Sequence, residues 1–410
     1  MNEIEKKVVE KIEEEKEELV NDLIQILRIP AISPEYGGEG EYRKAQKILE
    51  VLKKYGFNSI KVMNAKDKRA YMQKRPNLIA TINGKSNRKF WIMAHMDVVP
   101  PGDEKEWNFK PFEAFLKNGK IFGRGSLDNG QGIASVLLAS KALVELGLKP
   151  RSNVFVAFLS DEECGSEYGL KFLIKKHRNL FSKRDFALIP DAGNKDGTMI
   201  EIAEKSILWL RIKVKGKQAH ASTPEEGINA HRVAMQYSLA LYELLHKKYK
   251  RIQYPFTNAS TFEPTMVKNS ASSPNIIPGE HEIVFDCRVI PSYRLESVLK
   301  DFERIAKAFE KKEKVKIAFE KIAFEKASKP TKENAKIVKE LKRAIKEIKR
   351  KKAFVKGIGG GTFAKYLREL GIQSAVWCTD NGSEHRVNEY CNLKDLVEDA
   401  KVMALLMLRL

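Results

Sequence analysis

Residues 154–169 read VFVAFLSDEECGSEYG, an apolar strand that ends on three consecutive acids, Asp161, Glu162 and Glu163. Adjacent carboxylates repel, so they need bulk water or a positive partner close by. A solvated loop meets the first need. The second is met if one carboxylate holds a divalent cation while its neighbour stays free to carry protons. Metal-assisted hydrolysis needs a base to take a proton from water and an acid to protonate the leaving group. One glutamate can serve both steps in turn.

Other candidate ligands lie at comparable places. In IMAHMDVVP, His95 and Asp97 alternate along a strand and share a face. That spacing suits a metal-bound imidazole with a carboxylate behind it to fix the ring, though a buried structural histidine has the same pattern. In GRGSLDNGQGIASVLL, four glycines surround Asp128 just before a helix, so a tight loop can present one carboxylate. Phosphate binding at the helix N-terminus competes with that reading, but the run lacks both G-K-[ST] and G-x-G-x-x-G. PDAG adds Asp191, and NGSEHRVNEY adds His385. A nitrogen and oxygen donor set without thiolate suits zinc, or cobalt or manganese in its place. So many carboxylates are excessive for one divalent ion and sensible for two.

These residues need a scaffold that brings strand ends together. Short apolar runs (NLIATI, KFWIMAH, VFVAFLS, FALIP, TMIEIA) alternate with helical stretches such as YRKAQKILEVLKKYGF and GIASVLLASKALVELGL. That order predicts an α/β catalytic domain with a mixed, mostly parallel central sheet flanked by helices, its chemistry beyond the strand ends. From residue 206 the order becomes βαββαβ, a small α/β sandwich inserted in the larger domain. The expected boundaries are 1–205 and 327–410 for the catalytic domain and 206–326 for the insertion.

Composition narrows the class. A net charge of +20 invites a nucleic-acid reading. The lysines and arginines, however, are mixed with glutamate along helices such as KENAKIVKELKRAIKEIKRKK and are not interleaved with aromatics. Solvated helix faces account for them better. The four cysteines form no CxxC pair, which argues against a zinc knuckle or a disulfide framework. The N-terminal stretch is a charged amphipathic helix, and no apolar run has the length to span a bilayer. A soluble cytoplasmic protein is expected.

The order HMDVVP, GRGSLDNGQG, SDEECGSEYG, PDAG, GKQAHASTPEEGINA and GSEHRVNE, which covers nearly the whole chain, resembles the co-catalytic zinc metallopeptidases. These include succinyl-diaminopimelate desuccinylases, acetylornithine deacetylases, aminoacylases and glutamate carboxypeptidases. The resemblance implies that His95 and Asp191 ligate one metal and Glu163 and His385 the other. Asp128 bridges them, Asp97 orients His95, and Glu162 is the general base and acid. It implies a cis peptide between Asp128 and Asn129. It also makes the insertion a lid and dimerisation domain whose His220 stabilises an oxyanion, often in the partner subunit's site. A histidine tied into its own loop is the alternative.

Asn275 and Arg288 match lid positions that contact a substrate carboxylate in relatives, and arginine suits such a bidentate clamp. Gly360, Gly361 and Thr362 of GIGGGT offer backbone donors to the same group, or form a plain flexible turn. The DNGQG run and GGGTFAKYL depart from the usual desuccinylase pattern, so the acyl group is left open. The expected activity is dinuclear hydrolysis of an amide, in an N-acylated amino acid or next to a free carboxylate in a peptide. The rivals are an aminopeptidase and a non-catalytic binder of the same fold with a basic nucleic-acid-binding surface. A homodimer acting on a small N-acyl amino acid or short peptide is expected, with no membrane or nucleic-acid partner.

Overall fold

In the strand Lys89–His95, Phe90, Ile92 and Ala94 face one apolar layer while Trp91 and Met93 face another. A strand covered on both faces belongs at the centre of an α/β sheet, and this one lies there. The computed structural model describes residues 1–410. An eight-stranded sheet runs in the order Ile60–Lys66, Lys74–Ile82, Asn153–Leu159, Lys89–His95, Phe186–Asn194, Gln373–Thr379, Met199–Glu204, Phe354–Ile358. The ladders joining 153–159, 89–95, 186–194 and 373–379 are parallel. The pairings of 60–66 with 74–82, and of 74–82 with 153–159, are antiparallel. The sheet is therefore mixed, with its parallel strands at the centre, where helices bury both faces.

One face is covered by helices that include Gly132–Glu145, Lys336–Lys349 and Leu393–Arg409. The other is covered by Leu170–Lys176 and Ala364–Glu369. The N-terminal amphipathic stretch is two helices, Glu3–Glu14 and Lys16–Leu27, broken at Glu15. The Glu15 carboxylate takes Lys11 and Lys141 at 2.5 Å each, so the break carries an ion-pair knot. No helix is long and apolar enough to cross a membrane.

The chain divides into two compact units, one of Met1–Ile202, Pro330–Val355 and Thr362–Leu410, the other of Ala203–Lys329 and Lys356–Gly361. The second has a four-stranded antiparallel sheet, ordered Thr261–Asn269, Glu280–Val289, Ser206–Lys215, Lys316–Glu325. Its central strand alternates strictly: Leu208, Leu210, Ile212 and Val214 are buried. They pack with Val233, Tyr237 and Leu241 of helix Ala230–Lys248 and Val298 and Phe302 of helix Leu295–Glu313. Between them Arg211 and Lys213 point outward to Glu320 and Glu282 on the neighbouring strands. Period-two alternation of this kind gives one dry and one wet face.

Candidate active site

The strand Lys89–His95 ends on His95, the strand Asn153–Leu159 ends just before Ser160, and Phe186–Asn194 carries Asp191 near its end. These strands are parallel neighbours, so their C-terminal ends converge, as chemistry in such sheets requires. His95 is buried, with Nε2 at 2.7 Å from Asp128 Oδ1 and 3.4 Å from Asp191 Oδ1. The second oxygen of Asp128 lies 3.0 Å from His385 Nε2, and that nitrogen is 3.1 Å from Glu163 Oε1. Each oxygen of Asp128 therefore faces a different imidazole. His95, Glu162 and Asp191 bring one ligand atom each within 4.8 Å of the others, and so do His95, Asp128 and Glu163.

Charge is badly unbalanced here. Asp97, Asp128, Glu162, Glu163 and Asp191 crowd against two imidazoles, and no lysine or arginine forms an ion pair with Asp128, Glu162, Glu163 or Asp191. Burial and the Asp191 charge push the Glu162 carboxyl well above its ordinary value. Burial and Asp128 push Glu163 up to about 7. Hydrogen bonds to Asp128 and Glu163 lift His385 to about 11. Burial opposes protonation of His95, yet Asp128 overcomes it and raises that imidazole as well. Half-buried acids that no lysine or arginine pairs, set against two imidazoles, fit divalent cations held by nitrogen and oxygen donors.

The loop geometry shows how the acids are held. Asp97 accepts from the amides of Glu162, at 3.0 Å, and Glu163, at 2.9 Å. The His95 Nδ1 lies 3.0 Å from the backbone carbonyl of Asp97 and 3.6 Å from its carboxylate. The hydrogen bond that holds the ring thus goes to a backbone oxygen where a carboxylate was expected, while the carboxylate clamps the peptide carrying Glu162 and Glu163. Asp161 has a left-handed backbone, φ 66°, and its carboxylate lies 3.3 Å from the buried Arg75 guanidinium. Arg75 in turn is gripped by Glu41, with both contacts at 2.5 Å. Asp161 therefore shapes the turn and has no place among the candidate ligands. Glu35, Asp161 and Cys164 also cluster, but there each carboxylate lies against a guanidinium, Glu35 against Arg69 at 2.6 Å and Asp161 against Arg75 at 3.3 Å.

Two supporting residues were not singled out from the sequence. Asn129 Nδ2 donates to the Pro190 carbonyl at 2.7 Å and to Asp191 Oδ1 at 3.1 Å, and the peptide joining it to Asp128 is cis. Glu389 is buried beneath the Asp128 loop and accepts from the amides of Gly125, Leu127 and Asp128 and from Arg124. Its only sequence signal is its place four residues after His385 in GSEHRVNE.

The remaining candidates belong to the second unit, apart from Thr362. In the second unit, His220 is exposed in the short strand Ala219–His220, paired with Ile276–Ile277. Its Nδ1 accepts from the Ser222 amide at 3.2 Å, which leaves the neutral ring's proton on Nε2. Asn275 is beside it, its carbonyl accepting from the Ala221 amide. Arg288 gives Nε and Nη2 to Asp286, at 2.7 and 3.0 Å, and Nη1 to the Gly359 carbonyl at 3.1 Å. Gly360 and Gly361 follow in an exposed turn. Thr362, in the first unit, is buried and its hydroxyl accepts from the Ala364 amide at the start of helix Ala364–Glu369.

The sequence profile of peptidase family M20/M25/M40 matches residues 91–409, a span that contains every residue of the acid and imidazole cluster. The chain belongs to this family. It is 42% identical over 405 residues to an uncharacterised metallohydrolase of Methanocaldococcus jannaschii, covering 95% of this chain and 98% of the relative. It is also 30% identical over 272 residues to succinyl-diaminopimelate desuccinylase 2 of Shewanella loihica, covering 66% of this chain and 67% of that one. Human carnosine dipeptidase 1 has the same fold, with a TM-score of 0.78 and 17% identity, covering 100% of this chain and 99% of the other. As a member of family M20, the protein is a metallohydrolase of amide bonds, and the reading as a non-catalytic binder gives way.

Proposed function

We propose that the protein is a dinuclear metal-dependent amidohydrolase that cleaves an N-acyl amino acid, or a peptide bond next to a free carboxylate. The observation that carries the reading is Asp128, whose two oxygens face His95 and His385 at 2.7 and 3.0 Å. In this assignment His95 and Asp191 would hold one ion and Glu163 and His385 the other, with Asp128 serving both. Two divalent ions, zinc in the first instance, would supply Lewis-acid polarisation of the scissile carbonyl and an acidified water when bound. Glu162 takes the proton from that water and returns it to the leaving amine. Its side chain has no ion-pair partner and its amide is fixed by Asp97, so the carboxylate is free to turn between the two tasks. Asp97 holds the peptide of both glutamates and, through its carbonyl, the His95 ring.

His220 is assigned to the oxyanion, because its Nε2 carries the proton and faces away from the Ser222 bond. Arg288 is assigned to the substrate carboxylate. Three of its five N–H donors are used by Asp286 and Gly359, which leaves one on each terminal nitrogen to form a fork. Arg288→Ala should lower kcat/KM for N-acyl amino acids by roughly ten- to a hundredfold, the value of a charge-assisted hydrogen-bond pair. An aminopeptidase, which binds a free amine, should be nearly indifferent to the same change. Parallel assays on N-acetyl, N-succinyl and dipeptide substrates with added zinc or cobalt separate the two readings.

A homodimer through the second unit is supported by exposed Met266 and Val267 on its edge strand and Met235, Leu239 and Tyr242 on helix Ala230–Lys248. Paired apolar edges of this kind are otherwise an aggregation hazard. Sedimentation should give twice the chain mass, and Val267→Lys should shift it towards the monomer. A parent protein that sediments as a monomer at assay concentration would remove the dimer from the proposal.

A further inference from the structure

The metal cluster uses the C-terminal ends of the strands Lys89–His95, Asn153–Leu159 and Phe186–Asn194. The N-terminal ends of the same three strands surround a cavity of about 780 Å³. Seven residues of strand separate the two, roughly 20 Å, so the cavity is not part of the site described above. Its lining includes Lys85, Arg88, Lys89, Arg151 and Arg184, with Asp185 as the one acidic side chain.

Most of that positive charge is unspent. Asp185 is buried and turned inward, accepting from the Ser182 and Lys89 amides and from Trp91 Nε1. Lys89 gives its ammonium to the Leu180 carbonyl at 2.5 Å. Lys85, Arg88, Arg151 and Arg184 are exposed and make no ion pair. Lys336 stands beside them, sharing the Phe186 ring with Arg88. Its ammonium is held below its ordinary value by burial and by the charges of Arg151 and Arg88.

The cradle is also rigid. Lys85 N donates to the Pro150 carbonyl, Asn153 N to the Arg88 carbonyl, and Ser86 Oγ to the Arg151 carbonyl. At Gly84 a Cβ would stand 2.2 Å from the Ser152 carbonyl oxygen, so only glycine lets the two loops close this far. Two carboxylates reach the lining, the buried Asp185 and the Leu410 terminus, whose oxygen accepts from Ser152 Oγ at 2.7 Å, and the five lysines and arginines outnumber them. Cations in such excess on a concave surface concentrate field and attract a compact anion of high charge. No aromatic side chain lines the cavity, so nucleobases have nothing to stack upon.

We propose that this cavity binds an oligophosphate anion, held by Lys85, Arg88, Arg151 and Arg184 at the sheet end opposite the metal cluster. The test is calorimetric titration of sodium tripolyphosphate into the full metal-loaded chain at low and at high sodium chloride. One saturable site per chain is expected, weakened by salt as exposed charge interactions are. Arg88→Ala with Arg151→Ala should weaken binding at least about tenfold. Arg88→Lys with Arg151→Lys should retain most of it, and amide hydrolysis should be the same in all three proteins. Equal affinity in the parent and the alanine variant places the anion elsewhere, at the metals for instance, and overturns the proposal, as does the absence of saturable binding. A single-stranded RNA that binds more tightly than tripolyphosphate and loses the same affinity in the alanine variant reassigns the surface to nucleic acid, and also overturns it.

Discussion

Glu162→Gln should lower kcat for amide hydrolysis by roughly 10³-fold and leave the metal content unchanged, the size expected when a general base and acid is removed. The amide side chain is nearly the same shape as the carboxylate, and the amide nitrogen of residue 162 still donates to Asp97, so the loop keeps its turn. What disappears is proton transfer. Burial and the nearby Asp191 raise the Glu162 carboxyl in the metal-free protein, and the bound cations counter that by favouring the carboxylate. A base that must also act as an acid works best when neither form is strongly preferred. Metal analysis beside steady-state kinetics on one N-acyl amino acid or dipeptide decides the matter. If the variant keeps more than about a tenth of the parent kcat with full metal, proton transfer lies with another group.

The same loop shows where sequence reading reaches its limit. The α/β class was legible because buried parallel strands must be apolar on both faces, and KFWIMAH and VFVAFLS are. That His95 and Asp97 share a face follows from strand periodicity alone. Their division of labour does not follow from it. Asp97 grips the amides of Glu162 and Glu163 because Asp161 turns the chain with a left-handed backbone, and Asp161 is met there by Arg75 from a different strand. No local pattern encodes a contact across 86 residues.

The convergence of Asp128, Asp191 and His385 was likewise visible only through the order of motifs, since each has an ordinary reading in its own stretch. Arg288 presents the reverse case. Its type pointed to anion binding, while the Asp286 partner two residues away, which aims the remaining donors, was in plain sight in FDCRV and went unused.

Glu389→Ala should destabilise the chain by about 3–5 kcal/mol, the cost of breaking a buried ion pair, and weaken metal binding at the same time. The carboxylate lies 2.6 Å from Arg124 Nη1 and 2.9–3.0 Å from the amides of Gly125, Leu127 and Asp128. Removing it leaves a buried guanidinium and three buried N–H groups without acceptors. Arg124 is poorly placed to recover, because its Nε already lacks a partner and its plane lies over Trp107. The Asp128 amide is one of the three, so the loop that aims both Asp128 oxygens loses its anchor. A thermal scan should show Tm lower by roughly 5 °C. At limiting zinc the variant should bind less metal than the parent, and excess zinc should restore part of its activity. That rescue separates Glu389, which positions the ligand, from Glu162, whose loss no amount of metal repairs. An alanine variant with unchanged Tm and unchanged zinc affinity would show that Asp128 is held by its glycines alone.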